Sequence, residues 1–313
     1  MAWASALLVS TDRAKPHALN SETSNRYRYS RFLCIILHAE VEYPEAYCVN
    51  MQRKLKKWTE DTLQAYINVA EDLERKGFTA PSFYTQSDLT KLTTSPEVLV
   101  MGINPGSEGE YLKQICDPEW VDENGQFVAS RLLEGNGWYK DCCNKKPGLG
   151  RQNYWNGVCR VVREGIGKDI MSDASRSVLT NATFFNSGNG YDDVANECVN
   201  STIVHTVKLI EILRPEIIII LGCNFSNVSK DTLSLIKQNV PSGLGEISPV
   251  LRKVKVSTIA GCPAIAVPHI SCPHFNRHNT VFYKLIKYFY EKGVTPESIA
   301  YANANPSEFG CRK

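Results

Sequence analysis

Two polar side chains stand where apolar runs end. Asn104 lies in Gly102-Ile103-Asn104-Pro105-Gly106, directly after Val98-Leu99-Val100-Met101, and His269 follows Cys262-Pro263-Ala264-Ile265-Ala266-Val267-Pro268. Short apolar runs bounded by Gly and Pro read as buried strands, and in open α/β sheets the loops at the carboxyl ends of such strands line the ligand crevice. A carboxamide at Asn104 can accept from a water and donate to its neighbours, so it can place a water, although it cannot carry a proton away as a carboxylate would. An imidazole at His269 can donate a hydrogen bond to a developing oxyanion, and its neutral form suffices if the tautomer is held. Taken alone, the five-residue turn is also what an ordinary loop looks like. The second strand-end loop gives it weight: His269-Ile270-Ser271-Cys272-Pro273-His274-Phe275-Asn276-Arg277-His278-Asn279 carries further polar groups toward the same face.

The elements that must hold these loops are legible in outline. Val178-Leu179-Thr180-Asn181-Ala182-Thr183-Phe184-Phe185-Asn186 is rich in β-branched and aromatic residues and reads as a strand. Leu213-Arg214-Pro215-Glu216, followed by Ile217-Ile218-Ile219-Ile220-Leu221-Gly222, reads as a helix stopped before proline and then a strand buried on both faces. Leu55, Trp58, Tyr66, Ile67, Ala70 and Leu73 recur at helical spacing, with Gly77 as a stop, and predict an amphipathic helix over residues 51–77. Further helices fit residues 155–164, 199–213, 226–238 and 279–292. Strands alternating with helices predict a mainly parallel sheet covered on both faces.

Taken together these segments resemble the uracil-DNA glycosylase superfamily. The Gly-Ile-Asn-Pro-Gly loop is similar to the first motif of its mismatch-specific and thymine-DNA glycosylase branch. The histidine of His269-Ile270-Ser271 matches the second motif of the single-strand-selective and classical uracil branches, with Ile270 where Pro is usual. Asn153-Tyr154-Trp155 resembles the Asn-x-Phe-Trp helix start of the mismatch branch. The likeness covers residues 97–292 and implies a three-layer α/β/α sandwich with a central, mainly parallel four-stranded sheet. It also implies hydrolysis of the N-glycosidic bond of uracil, or a related deaminated base, in DNA.

That reaction passes through an oxocarbenium-like sugar and a base leaving as an anion, so a site must place water and stabilise negative charge on the base. Asn104 and His269 are the expected catalytic pair. The resemblance adds Gly102, Ile103 and Asn181 as base-binding residues, Asn181 reading the Watson–Crick edge with a donor and an acceptor. It adds Pro105, Gly106, Ser271, Pro273, His274, Phe275 and Arg277 as DNA contacts. Ser271 is expected on a phosphate, and Pro273, His274 and Phe275 lie where a side chain fills the gap left by the extruded base. Phe275 is either such a wedge or a core residue. A nucleophilic pairing of Ser271 with His269 is not expected, because no Gly-x-Ser-x-Gly elbow occurs and loop neighbours at i and i+2 do not naturally form that hydrogen bond. The aromatic that stacks on the flipped base is open, because residues 107–152 are longer than in the mismatch branch; Tyr111, Trp120, Trp138 and Tyr139 all lie there.

Composition bounds the rest. The chain has 313 residues, 43% hydrophobic and 22% charged, enough for one sizeable core. The expected organisation is an N-terminal extension over residues 1–50, one domain over 51–293 with an insertion at about 107–152, and a tail over 294–313. A net charge of +2 does not mark a strong non-specific DNA binder. A local groove can still be basic: Lys145, Lys146 and Arg151, or Arg252, Lys253 and Lys255, are candidates, while Arg53-Lys54-Leu55-Lys56-Lys57 reads as a solvated helix end, with a DNA contact as the alternative. Eleven scattered cysteines without Cys-x-x-Cys predict reduced thiols, no iron–sulfur cluster, no metal and no cofactor. No apolar run is long enough to span a membrane, and no secretory leader is read. The resemblance implies DNA as the partner, single- or double-stranded, met by a monomer without a membrane, in an intracellular setting that is cytoplasmic in a prokaryote and nuclear in a eukaryote. The absence of a lysine from either motif predicts a monofunctional enzyme. The competing readings are a catalytically inactive member that binds DNA or a modified base, and an unrelated nucleotide-binding α/β enzyme. The second lacks a phosphate-binding glycine loop.

Overall fold

The computed structural model describes residues 44–103, 109–144, 152–186, 193–222 and 231–311. A long helix, α1 (Pro44–Arg75), leads into strand β1 (Val98–Gly102). Three short helices follow, α2 (Tyr111–Gln114), α3 (Arg131–Glu134) and α4 (Gly137–Cys143), then α5 (Gln152–Ile166) and β2 (Ser177–Asn181). Next come α6 (Asp193–Leu213), β3 (Ile217–Leu221) and α7 (Thr232–Asn239). Strands β4 (Ser248–Val250), β5 (Val254–Ile259) and β6 (Cys262–Val267) precede α8 (Pro273–Lys292) and α9 (Pro296–Ala304).

The strands form one mixed sheet in the order β2-β1-β3-β6-β5-β4. The pairings of β2, β1, β3 and β6 are parallel, whereas β5 and β4 are antiparallel to their neighbours. The sheet thus has six strands rather than the expected four. The extension is a hairpin: Ala260 and Gly261 both adopt positive φ, 49° and 80°, and carry the chain straight back from Ile259 to Cys262. Two consecutive left-handed residues match the twist of an antiparallel pair, and glycine at the second makes the turn cheap. Both ends of the sheet are blunted. At the far edge Pro249 sits in the middle of β4. At the near edge the Ser87 hydroxyl accepts a hydrogen bond from the outward amide of Leu179 at 2.7 Å.

Side-chain alternation splits the core. Leu99, Met101, Ile218, Ile220, Ala264 and Ala266 pack with α1, α6 and α7 on one face. Val98, Val100, Ile217, Ile219, Ile265 and Val267 pack with α5 and α8 on the other. Every residue of β3 is fully buried, and at about 1.5–3 kcal/mol for each large side chain the strand is firmly anchored between the layers. α1 lies on α6, and α5 on α8.

Several expected boundaries move. α8 begins at Pro273, not at residue 279, because proline at its first turn suits a helix start; within it the backbone kinks at His278, whose φ is −126°. α1 begins at Pro44, within the expected N-terminal extension, whose residues 1–43 lie outside the described residues. Residues 294–311 are not a loose tail: Ala302, Phe309 and Cys311 are buried against the α8 side of the core, and Tyr301 stacks on Tyr288 at 5.6 Å. The described part of the expected insertion is likewise packed. Gln114 pairs with the backbone of Phe83 as a strand would, accepting from its amide at 3.0 Å and donating to its carbonyl at 2.7 Å. Among the described residues no helix is long and apolar enough to cross a membrane.

Candidate active site

The parallel strands deliver their carboxyl ends to one edge. There Gly102 and Asn181 are register partners across β1 and β2. The pairing continues beyond the strands, with Ala182 donating to the Gly102 carbonyl at 2.9 Å and Thr183 to that of Ile103 at 3.0 Å. From α6 the Thr206 hydroxyl lies 3.0 Å from the carbonyl oxygens of both Asn181 and Ala182, which pins this backbone from below. The Asn181 side chain is 4% exposed, and its Nδ2 has no hydrogen-bond partner among the described residues. A buried amide left without a partner costs roughly 1–3 kcal/mol, so it is a position where a ligand acceptor gains directly. Gly102 makes the arrangement possible, since a Cβ there would lie 2.6 Å from Asn181 Oδ1. Ile103 is half-buried and packs near Gly222, whose φ of 143° calls for glycine.

His269 follows β6 and the buried Pro268. A turn closed by Cys272 donating to the His269 carbonyl at 2.8 Å folds Ser271 back over the ring. The Ser271 backbone amide donates to His269 Nδ1 at 3.3 Å, and the Ser271 hydroxyl lies 2.7 Å from the same nitrogen. A backbone amide can only donate, so Nδ1 must be the bare acceptor and Nε2 carries the proton. Burial holds the imidazole below its ordinary value, favouring the neutral ring. His269 thus offers one fixed donor, the property that stabilisation of an oxyanion requires. The Ser271–His269 hydrogen bond, not expected of loop neighbours two residues apart, does form, and the turn is the reason. It engages Nδ1, which is already taken by the Ser271 amide.

Tyr154, from the first turn of α5, lies beside both strand ends. Its ring is stacked on that of His269, with centroids 5.8 Å apart and planes at 14°, and its hydroxyl is 3.8 Å from the position of a Gly102 Cβ. Burial pushes its phenol up to about 12, so it stays protonated. From sequence, Tyr154 reads only as part of a helix start. An aromatic three residues before a helical glycine, opposite a histidine loop, was the available signal. Of the aromatics in the expected insertion, Tyr111 and Trp120 are committed to a cluster with Phe83 and Phe127, and Tyr139 is buried on Trp155. Trp138 is half-buried, 6.4 Å from Tyr154, and borders the site.

The remaining expected residues divide. Asn104, Pro105 and Gly106 lie outside the described residues, as do Lys145, Lys146 and Arg151. Pro273 and Arg277 are exposed at the start of α8, and His274 donates from Nε2 to the Arg252 carbonyl at 3.3 Å. His278 is 4.7 Å from His274 and is held below the usual imidazole value by partial burial and then by the nearby charges of His274, Arg252 and Arg277. These residues make one basic surface. Phe275 does not belong to it: it is 3% exposed and packs on Phe282 at 5.2 Å, so it is a core residue and not a wedge for the base stack. Its place on the inward side of α8 decides this. Lys255 is likewise engaged, with Nζ 2.6 Å from a carboxylate oxygen of the buried Asp231. None of the nine described cysteines is joined to another in a disulfide.

Comparison with protein-family models and with curated proteins finds no match to this chain.

Proposed function

We propose that the protein is a monofunctional DNA glycosylase of the uracil-DNA glycosylase superfamily, with β2-β1-β3-β6 as the parallel core of that superfamily's α/β/α sandwich. It hydrolyses the N-glycosidic bond of uracil, or a related deaminated base, in DNA, the first step of base excision repair. One observation carries the reading: a buried carboxamide with an unused amide, Asn181, shares a sheet edge with an imidazole whose tautomer is fixed, His269.

In this reading the base is extruded from the stack and lies between the strand ends. Asn181 hydrogen-bonds its edge. His269 donates from Nε2 to a ring carbonyl as the bond to the sugar breaks and negative charge moves onto the base. Asn104 places the water that attacks the anomeric carbon; lacking a carboxylate's basicity, it leaves the water's proton to the solvent or the departing base. Ser271, Pro273, His274 and Arg277 meet the DNA backbone. The protein acts as a monomer, in the cytoplasm of a prokaryote or the nucleus of a eukaryote.

The test is alkali-induced strand cleavage of labelled oligonucleotides carrying uracil, hypoxanthine, xanthine or a G·T mismatch. Base release by the wild type that collapses in Asn104→Ala, Asn181→Ala and His269→Ala supports the reading. Well-folded wild type that binds these oligonucleotides and releases no base would instead make the chain a sensor of modified bases.

A further inference from the structure

The helix α5 touches the His269 loop twice, one turn apart. Tyr154 lies face to face with the His269 ring. Three residues on, Gly157 leaves a notch that Ile270 fills: a Cβ at Gly157 would come within 2.7 Å of Ile270 Cδ1. Residues at i and i+3 share a helix face, so adjacent residues of the loop are gripped by one surface of one rigid element. The loop itself is held by its own turn, through Ser271 and Cys272, and its hydrogen bonds to Nδ1 hold the imidazole at that one nitrogen only. The stacked tyrosine adds a hold on the face of the ring, and an offset aromatic stack has a preferred geometry that favours one relative orientation of the two planes.

We propose that Tyr154 and Gly157 form a clasp on α5 that positions His269, the tyrosine ring orienting the imidazole and the glycine seating Ile270 behind it. The role is positioning. The imidazole must keep Nδ1 within reach of the Ser271 amide for Nε2 to remain the protonated nitrogen, and the clasp keeps the ring in that plane. The titratable and polar groups that meet the His269 side chain among the described residues are Tyr154 from α5 and Ser271 from its own turn. The hold on His269 stands without the glycosylase reading, and only its catalytic consequence rests on that reading.

The experiment has two arms. In ¹⁵N spectra of the free protein, the His269 ring should be a single Nε2-protonated tautomer in the wild type and a mixture in Tyr154→Leu, with Tyr154→Phe, which restores the ring, recovering the single form. Gly157→Ala should perturb the same signals by displacing Ile270. On a uracil oligonucleotide, Tyr154→Leu should lower kcat by about 10²-fold with little change in KM or in melting temperature, again rescued by Tyr154→Phe. An unchanged tautomer and kcat in Tyr154→Leu overturns the clasp, as does a Phe variant as defective as Leu, since the hydroxyl would then be the working group. A wild type that releases no base while the spectra behave as stated removes the glycosylase reading and leaves the clasp standing.

Discussion

The carboxamide of Asn181 lies on the bare α-carbon of Gly102, its partner across the β1–β2 pairing, at a distance that leaves no room for a methyl group. Two outcomes follow from this contact. In Gly102→Ala the added carbon meets the end of a side chain, not backbone, so the carboxamide gives way and the fold survives. The expected result is a stability loss of no more than about 1–3 kcal/mol, with a fall of about 10²-fold in kcat/KM from the displaced amide. Asn181→Ala should lose activity without losing stability, because its Nδ2 has no partner to abandon among the described residues. Thermal melting beside single-turnover rates separates the two effects; a clear drop in melting temperature for Asn181→Ala would mark the residue as structural.

The pH dependence follows from His269. Its half-buried imidazole sits below the ordinary value of 6.5 because desolvation disfavours the charged ring, so the folded state favours the neutral ring. Stability from this group is present above 6.5 and is lost as pH falls through the lower folded value. Activity should track the same limb: kcat/KM is flat from 6.5 upward and declines only at more acidic pH, where Nδ1 gains a proton and can no longer accept from Ser271. A pH–rate profile whose acid limb lies above 6.5 would contradict this.

Phe275 and Arg277 sit two residues apart on α8 and should behave as opposites. Phe275→Ala removes a buried ring and should cost roughly 3–5 kcal/mol in urea unfolding. Arg277→Ala should leave unfolding unchanged. It should weaken DNA binding alike for every sequence and reduce the slope of log K against log salt by about 1.

Asp231 and Lys255 form an ion pair in which the carboxylate side is 1% exposed and the lysine side 16%. Breaking it from one side leaves a buried charge, so Lys255→Met should destabilise by roughly 3–5 kcal/mol, and adding Asp231→Leu should recover most of that loss. Denaturant midpoints of the two single variants and the double variant measure the coupling. A single variant as stable as the wild type would show that water reaches the carboxylate.

What the sequence made visible depended on range. Runs such as Ile217 to Leu221 announce a buried strand because every position must be apolar, and proline, glycine and helical spacing announce the helix ends. The β5–β6 hairpin is equally local, with Ala260-Gly261 between Val254–Ile259 and Cys262–Val267, but Ala-Gly is a weak turn signal and Pro263 blurs the start of the second strand. The stacking of Tyr154 on His269 and the clearance of Gly102 under Asn181 were beyond reach, since both join segments far apart in the chain and depend on sub-ångström placement that no spacing encodes. Phe275 was ambiguous for the opposite reason: an aromatic in a helix start can face either way, and only the packing of Phe282 behind it decides.

The Ser87 hydroxyl that closes the edge of β2 has a mechanical meaning. β6, which leads to His269, is clamped between β3 and β5, while β2, which ends in Asn181, has a strand on one side and the Ser87 hydroxyl at Leu179 on the other. The imidazole thus hangs from an inner strand and the carboxamide from an outer one, whose end is steadied by the Thr206 hydroxyl in place of a second neighbouring strand.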